Sequence, residues 1–525
     1  MEQLRRLPIG IQSFEKLRTN GYVYVDKTAL MYRLTSTYSP YFLSRPRRFG
    51  KSLLLSTIKA YFEGKKELFE GLAIEQLETQ WERYPVLHLD LNAEKYRDVA
   101  FLEAILSRNL SEWESVYGKS ENVDTLAGRF ERVIKRAYQQ TGKRVVVLID
   151  EYDKPLLENI LDKEVGDDMR RTLKAFYSVL KSTDQYLRFV FITGVTKFAQ
   201  VSVFSDLNQL SDISMMKQYS TLCGITKDEL TQVFRPELEA LAADRRLGFD
   251  EVVAEMAQRY DGYHFAPSTE GMFNPFSVLN ALERLDLLDY WFQTGTPTFL
   301  AELLEESDYD LRLIVDGVQM AASSFAEYRA EKANPIPLIY QSGYLTIQDY
   351  DERFRLYTLG FPNDEVRYGF MNFLSPYYTM VKNDDTPLHI ARFSSDLQAG
   401  ELDKFLQRVK VFFAGMPYEL SDDTERHYQA ILYVIFTLMG EFTQVEVRGA
   451  DGRADAVVKT DRYIYLFEFK LNGSAEEALR QIDSKEYFLP YQLDGRKLFK
   501  VGVSFSKEKR NIDRYLVDEA ESMSD

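Results

Sequence analysis

The stretch "FLSRPRRFGKSLLL", from Phe42 to Leu55, decides how the first half of this chain folds. It ends in Gly50, Lys51 and Ser52, the close of the pattern G-x-x-x-x-G-K-[ST], yet it opens on Arg45 where that pattern has glycine. A phosphate cradle works because successive backbone N–H groups at a helix N-terminus converge on the anion, where the helix dipole also favours negative charge. The lysine reaches the β- and γ-phosphates, and the Ser or Thr hydroxyl ligates Mg²⁺. What the chemistry needs is the last glycine, the lysine, the hydroxyl and a strand running into a helix. "YFLS" supplies the strand and "LLLSTIKAYF" the helix. The first glycine shapes the loop entrance and does not touch the γ-phosphate, so its absence leaves the cradle in place.

A second half of such a site is an apolar strand ending in an acid. "VVVLIDEYD" has that form, with Asp150 placed to hold Mg²⁺ through water and Glu151 to polarise the attacking water. A third apolar run, "RFVFITG", ends near Thr193, a candidate sensor of the γ-phosphate. The competing explanation is a set of ordinary core strands with solvated ends. It leaves two adjacent carboxylates directly after an apolar strand unexplained.

The short apolar runs Tyr41 to Ser44, Pro85 to Leu91, Val145 to Asp150 and Arg188 to Gly194 alternate with helical stretches. That alternation predicts a parallel sheet covered on both faces, an α/β domain over residues 1–225. Residues 226–300 turn helical and read as a lid. Residues 301–385 contain a strand, a turn and a strand beside helices, and suit a small winged-helix-like linking region. "NDDTPLHI" reads as a surface link. Residues 386–525 form the last domain, helices followed by a hairpin-like series of strands.

That last domain carries a second chemistry in "GRADAVV" and "YIYLFEFKL". Alternate side chains of a strand share a face, so Glu468 and Lys470 point one way while Phe467 and Phe469 point the other. A strand in a buried sheet has little reason to carry Glu and Lys at its apolar centre. Asp455 and Glu468 together can clasp a divalent cation, and Lys470 can orient or deprotonate the attacking water. This stretch resembles the PD-(D/E)XK nucleases, with Asp455, Glu468 and Lys470 in those roles. Glu425, ahead of "AILYVIFTLM", sits where members of that superfamily place an additional acid. Gln481, Lys485 and Tyr487 resemble the Q-x-x-x-[KY] element of the RecB-like members. The alternative for Glu468 and Lys470 is an ion pair on an exposed sheet edge.

The arginine-rich loop, "VVVLIDEYDKPL", "ITGVTKFAQVSVFSDLNQLSDIS" and "YDGYHF…NPFSVLNAL" together resemble the bacterial AAA-ATPase-like family, over about residues 5 to 300. The resemblance implies a P-loop related to AAA+ and STAND proteins, a helical lid, and a C-terminal PD-(D/E)XK domain. It implies a nucleotide-binding set of Arg47, Arg48, Phe49, Gly50, Lys51, Ser52, Leu53, Asp150 and Thr193, with Ser52 and Asp150 serving Mg²⁺ and Glu151 catalytic. Arg47 and Arg48 are equally open as contacts to phosphate or to a neighbouring domain, and no residue is assigned as an arginine finger.

Composition bounds the rest. The 525 residues are 45% hydrophobic and 28% charged, with 35 Phe and 34 Tyr, enough for several cores. A single cysteine, Cys223, excludes internal disulfides and multi-cysteine metal sites and suits a reducing cytoplasm. No signal peptide is visible, and "AILYVIFTLM" is half the length a membrane span needs. The four histidines, His88, His264, His389 and His427, show no ligand spacing. The net charge of −16 excludes a broad basic face while permitting a local basic cleft. The expected cofactors are ATP and Mg²⁺ or Mn²⁺. The expected partner is nucleic acid, DNA before RNA, with no membrane and with homo-oligomerisation open. The leading function is an ATPase whose nucleotide state controls a metal-dependent nuclease; the alternative is a nucleotide-driven switch that binds a partner or nucleic acid without cutting it.

Overall fold

In the computed structural model the apolar runs of the first half become β1 (Tyr41–Ser44), β2 (Val86–Asp90), β3 (Val145–Asp150) and β4 (Leu187–Gly194). A two-residue strand that the pattern did not announce, β5 (Ser211–Asp212), completes a sheet of order β2-β3-β4-β1-β5, parallel throughout. Every residue of β3 is buried, as a strand covered on both faces requires. The register levels the strand ends: Leu43 pairs with Thr193, Ser44 with Gly194 and Ile149 with Ile192. Ser44, Asp150 and Thr193 therefore reach one rim, the carboxyl edge where open α/β sheets bind ligands.

The structure describes residues 5–37, 40–92, 95–119, 125–160, 162–197, 203–204, 207, 209–292, 300, 317–325, 334–379, 386–414, 425–440, 444–447, 454–471, 473–506, 508–509 and 511–520. The chain divides into two compact units, Met1–Gly295 with Gln319–Asn363, and Thr296–Val318 with Asp364–Asp525.

Beyond its sheet the first unit holds the helices Lys227–Val233, Arg235–Arg245, Phe249–Tyr260 and Pro275–Arg284. The first starts with a reciprocal cap between Thr226 and Glu229. Their apolar faces close a core of Leu230, Phe234, Leu238, Val252, Met256 and Val278, joined by Leu7 and Val23 from the start of the chain. A small sheet of order β6-β8-β7 (Val318–Ala321, Leu356–Gly360, Thr346–Asp351) accompanies the helix Ile336–Gln341.

The second unit is built on a five-stranded sheet of order β13-β12-β11-β10-β9 (Asn511–Ala520, Lys497–Ser506, Tyr463–Lys470, Ala456–Lys459, Gln444–Val447). Only β11 and β12 run parallel; the other pairs are antiparallel. Phe467 and Phe469 of β11 stack toward Phe436 and Phe505, and Phe467 also meets Phe405. The helix Glu425–Met439, which contains "AILYVIFTLM", is buried from Ala430 through Met439. Among the described residues no helix is long and apolar enough to cross a membrane. Thr386 to Ile390, read as surface link, instead open the helix Thr386–Gln398, with Thr386 and Ile390 buried. Pro387 is the second residue of that helix, where its fixed φ suits a helix start. Residues 383–385 of that link lie outside the described residues.

The helix Ala475–Ser484 rests on β12 at Gly502, where an added Cβ would stand 2.4 Å from the Ala475 carbonyl oxygen and 2.9 Å from the Leu479 nitrogen. Gly502 is the register partner of Glu468. Gly502→Ala is expected to destabilise this unit by about 1–3 kcal/mol, the usual cost of forced overpacking. Thermal unfolding of wild type and variant side by side measures it.

Candidate nucleotide and metal sites

At the rim of the parallel sheet, β1 runs into the loop Arg45 to Gly50 and then into the helix Lys51–Phe62. Gly50 has φ +90°, a left-handed conformation that a side chain resists, and it lets the helix begin abruptly. Arg48 is also left-handed, at φ 68°. The Lys51 side chain is only 3% exposed and donates to the carbonyl oxygens of Arg45 at 3.1 Å and Pro46 at 3.3 Å. Its ammonium also lies 3.3 Å from Glu151 Oε1.

Glu151 follows the end of β3 with φ 51°, rare for a side-chain-bearing residue. That turn sends two adjacent carboxylates to different neighbours. Asp150, 2% exposed, accepts a 2.6 Å hydrogen bond from Thr193 Oγ1, while Glu151 faces Lys51. The structure thus brings Lys51, Asp150, Glu151 and Thr193 to one rim, with Ser52 half-buried on the first helical turn beside them.

The rest of the loop faces elsewhere. Phe49 is buried edge-on against Tyr263 and Phe265. Arg48 is exposed, with its guanidinium 4.9 Å from the centre of the Phe276 ring. Arg47 is exposed too, and its carbonyl accepts from Trp291 Nε1 at 3.1 Å. Leu53 borders an apolar cavity of about 100 Å³ beside Gly50, walled by Val23, Val25, Leu222, Phe234 and Leu279.

In the second unit Glu468 is 2% exposed on β11, the middle strand of its sheet. The exposed-edge alternative is therefore overturned. Lys470 Nζ donates to Glu468 Oε1 at 3.1 Å and to Gln481 Oε1 at 2.6 Å, so Glu468, Lys470 and Gln481 share one face. Burial, and next the charge of Asp455, push the Glu468 carboxyl up to about 7, against the pull of Lys470. Its second oxygen, Oε2, is buried without a hydrogen-bond partner. Asp455 sits one residue ahead of β10, not within a strand, because its Oδ2 accepts from the Phe469 nitrogen at 2.8 Å and bends the chain there. Among the described residues no group of three His, Cys, Asp or Glu gathers for a metal. The donor set is two carboxylates, one with a buried oxygen that has no donor, and it fits a hard cation whose other ligands are water or phosphate oxygens.

A profile described as predicted AAA-ATPase matches residues 8–204, and one described as PD-(D/E)XK nuclease superfamily matches residues 423–515. The chain is 35% identical over 535 residues to a protein of Azotobacter chroococcum mcd 1 named "Uncharacterized protein in vnfD 5'region", covering 98% of this chain and 99% of that one. The chain belongs to the predicted AAA-ATPase family with a PD-(D/E)XK nuclease-superfamily domain.

Two features of this AAA-ATPase-like protein escaped the sequence reading. Asp153, fully buried, accepts from the Thr196 nitrogen and hydroxyl, both at 2.6 Å, and from the Val195 nitrogen at 3.2 Å. Burial, with the charge of Glu151 adding to it, pushes this carboxyl up to about 6. It locks the chain after β3 to the chain after β4; the third acid of "DEYD" was its only sequence signal. The apolar cavity beside Gly50 is the other, since its walls come from segments some 200 residues apart in the chain. Of the C-terminal candidates, Lys485 caps the helix Ala475–Ser484 and is exposed, and Tyr487 packs against the apolar cluster around Ile482. The side chain of Glu425, first residue of its helix, lies outside the described residues, as does that of His427. Cys223 is buried and free, as a core residue should be.

Proposed function

We propose that this protein binds and hydrolyses ATP, and that its nucleotide state controls a divalent-metal-dependent nuclease acting on nucleic acid phosphodiesters, DNA before RNA, in the cytoplasm. The observation that carries the nuclease half is Glu468: a carboxylate in the central strand, one oxygen on Lys470, the other buried with no donor. A cation held by Asp455 and Glu468 would supply Lewis acidity at the scissile phosphate and a bound water of lowered pKa. Lys470, held by Glu468 and Gln481, would orient the attacking water or take its proton. Glu425 is the additional acid and Lys485 an exposed contact to the backbone phosphates.

In the ATPase half, Lys51 reaches the β- and γ-phosphates and the backbone from Arg47 to Leu53 cradles them, while Ser52 and Asp150 serve Mg²⁺. Glu151 polarises the attacking water, and Thr193 reports the γ-phosphate through its bond to Asp150. In this reading Lys51 leaves Glu151 when phosphate arrives, which frees the carboxylate for water. The apolar cavity beside Gly50 receives the base. Residues 1–225 are the ATPase core, 226–300 the lid, 301–385 the link and 386–525 the nuclease.

Coupling is supported by the path of the chain. It leaves the first unit after Gly295, returns at Gln319 and leaves again after Asn363, so three crossings join the two units. The returning segment meets the phosphate-loop rim, for the Lys197 nitrogen donates to Gln341 Oε1 at 2.7 Å. Purified protein with Mg²⁺ or Mn²⁺ is expected to cut at least one of single-stranded DNA, duplex DNA and RNA, at a rate that changes with a non-hydrolysable ATP analogue. Limited proteolysis at the crossings should likewise differ between no nucleotide, ADP and the analogue. Identical proteolysis in all three states refutes the coupling, and nucleic acid bound but never cut with either metal refutes the nuclease in favour of the binding switch.

A further inference from the structure

The residue that breaks the phosphate-loop pattern is among the most completely held in the first unit. Arg45 is 2% exposed. Its Nη1 donates to the carbonyl oxygens of Ser44 at 2.9 Å and Ser214 at 2.8 Å, and its Nη2 to that of Tyr219 at 3.1 Å. The guanidinium carbon lies 4.0 Å from the centre of the Phe265 ring. Among the described residues no carboxylate pairs with it, so carbonyl dipoles and a ring face carry its charge. Nε is buried without a partner, and Arg45 borders a cavity of about 30 Å³, room for a water.

The backbone of Arg45 is committed as well. Its nitrogen donates to the Gly194 carbonyl at 3.2 Å, and its own carbonyl accepts from Lys51 Nζ at 3.1 Å. One residue thus joins the end of β4, the segment Ser214 to Tyr219, the ring of Phe265 and the phosphate-loop lysine. Glycine at the head of such a loop shapes the entrance through conformational freedom. Here the head is Arg45 followed by Pro46, whose ring fixes φ. A stiff entrance must be shaped from outside, and the rigid guanidinium places donors on two separate nitrogens, Nη1 toward Ser44 and Ser214 and Nη2 toward Tyr219, a spread that the single nitrogen of a lysine does not have.

We propose that Arg45 is a positioning residue for nucleotide: it substitutes for the first glycine by anchoring the loop entrance to the Ser214–Tyr219 segment, so that Lys51 and the loop amides face the phosphates. This rests on the phosphate-loop reading above. The Arg45 guanidinium is committed to the Ser44, Ser214 and Tyr219 carbonyls and acts on nucleotide through the loop, so losing it weakens binding while the reacting groups stay intact. Glycine at this position, although it restores the usual pattern, worsens the site.

The test is calorimetric binding of ADP and of a non-hydrolysable ATP analogue to full-length wild type, Arg45→Gly and Arg45→Lys, with steady-state ATPase kinetics on each. Arg45→Gly is expected to bind both nucleotides at least about tenfold more weakly and Arg45→Lys about three- to tenfold. The change should appear in KM far more than in kcat. Arg45→Lys keeps a charge and similar bulk, so it decides the matter if Arg45→Gly does not fold. Binding equal to wild type in the folded variants, or a fall in kcat at unchanged KM, overturns the inference alone. Wild type that binds neither nucleotide overturns the phosphate-loop reading and this inference with it.

Discussion

Lys51→Ala is expected to lose ATP turnover altogether and to weaken nucleotide binding by about a hundredfold or more, because on the proposed function it removes the loop charge that reaches the β- and γ-phosphates. In the structure Lys51 satisfies the Arg45 and Pro46 carbonyls and pairs with Glu151. Its loss therefore also costs the fold about 1–3 kcal/mol through buried acceptors left without a donor. Glu151→Gln separates the two effects. It keeps the lysine and should bind ATP at least as well as wild type, since phosphate no longer competes with a carboxylate for Lys51, yet it should not hydrolyse. A direct titration, a single-turnover assay and a melting curve on each variant check this. Equal nucleotide affinity in wild type and Lys51→Ala removes the assignment.

Glu468→Gln is expected to abolish cleavage, a loss of about a thousandfold or more, together with metal binding at the C-terminal site. The same carboxyl predicts how that site responds to pH. Held up to about 7 against an ordinary 4.5, Glu468 keeps its proton in the fold where the unfolded chain has lost it. The folded unit then binds more protons between about pH 4.5 and 7, so stability falls as pH rises across that window, by up to about 3 kcal/mol for a group so little exposed. Mn²⁺ needs the ionised form and displaces the proton below pH 7, so affinity should climb toward tenfold per pH unit there and level off above. Glu468→Gln should flatten the stability profile across that window, because the carboxyl whose proton is held there is gone. Calorimetry in two buffers of different ionisation heat reads the proton released, and melting from pH 5 to 8 reads the linkage. Metal binding without proton release at pH 6, or an unchanged profile in Glu468→Gln, contradicts this account. Asp455→Ala and Lys470→Ala should spare ATPase activity, the first losing metal affinity and the second mainly rate.

Local pattern was enough for a large part of this molecule. Four runs of apolar residues alternating with helical stretches announce a parallel sheet, because strands covered on both faces cannot alternate polar and apolar residues. Gly50-Lys51-Ser52 after a strand, two acids at the end of another, and Glu-x-Lys inside a third mark both candidate sites from neighbours in the chain. The period of two along Tyr463 to Lys470 already divides Glu468 and Lys470 from the phenylalanines, and the packing of Phe467 and Phe469 agrees with it. A strand's side-chain alternation is a local property, and it holds whatever surrounds the strand.

Tertiary structure alone decided the rest. The order β2-β3-β4-β1-β5 brings Asp150 beside Thr193, residues 43 apart, and no periodicity encodes which strands become neighbours. That Glu468 is central and buried, not on an edge, follows from β12 and β13, which lie further along the chain and close the sheet over it. The sequence showed Arg45 only as a break in the phosphate-loop pattern and gave Asp153 no role. Their partners are Thr196, Ser214 and Tyr219, and only folding brings those groups within hydrogen-bonding distance. Whether a charged side chain is solvated or buried depends on the carbonyls and amides it meets, and those come from segments far away in the chain.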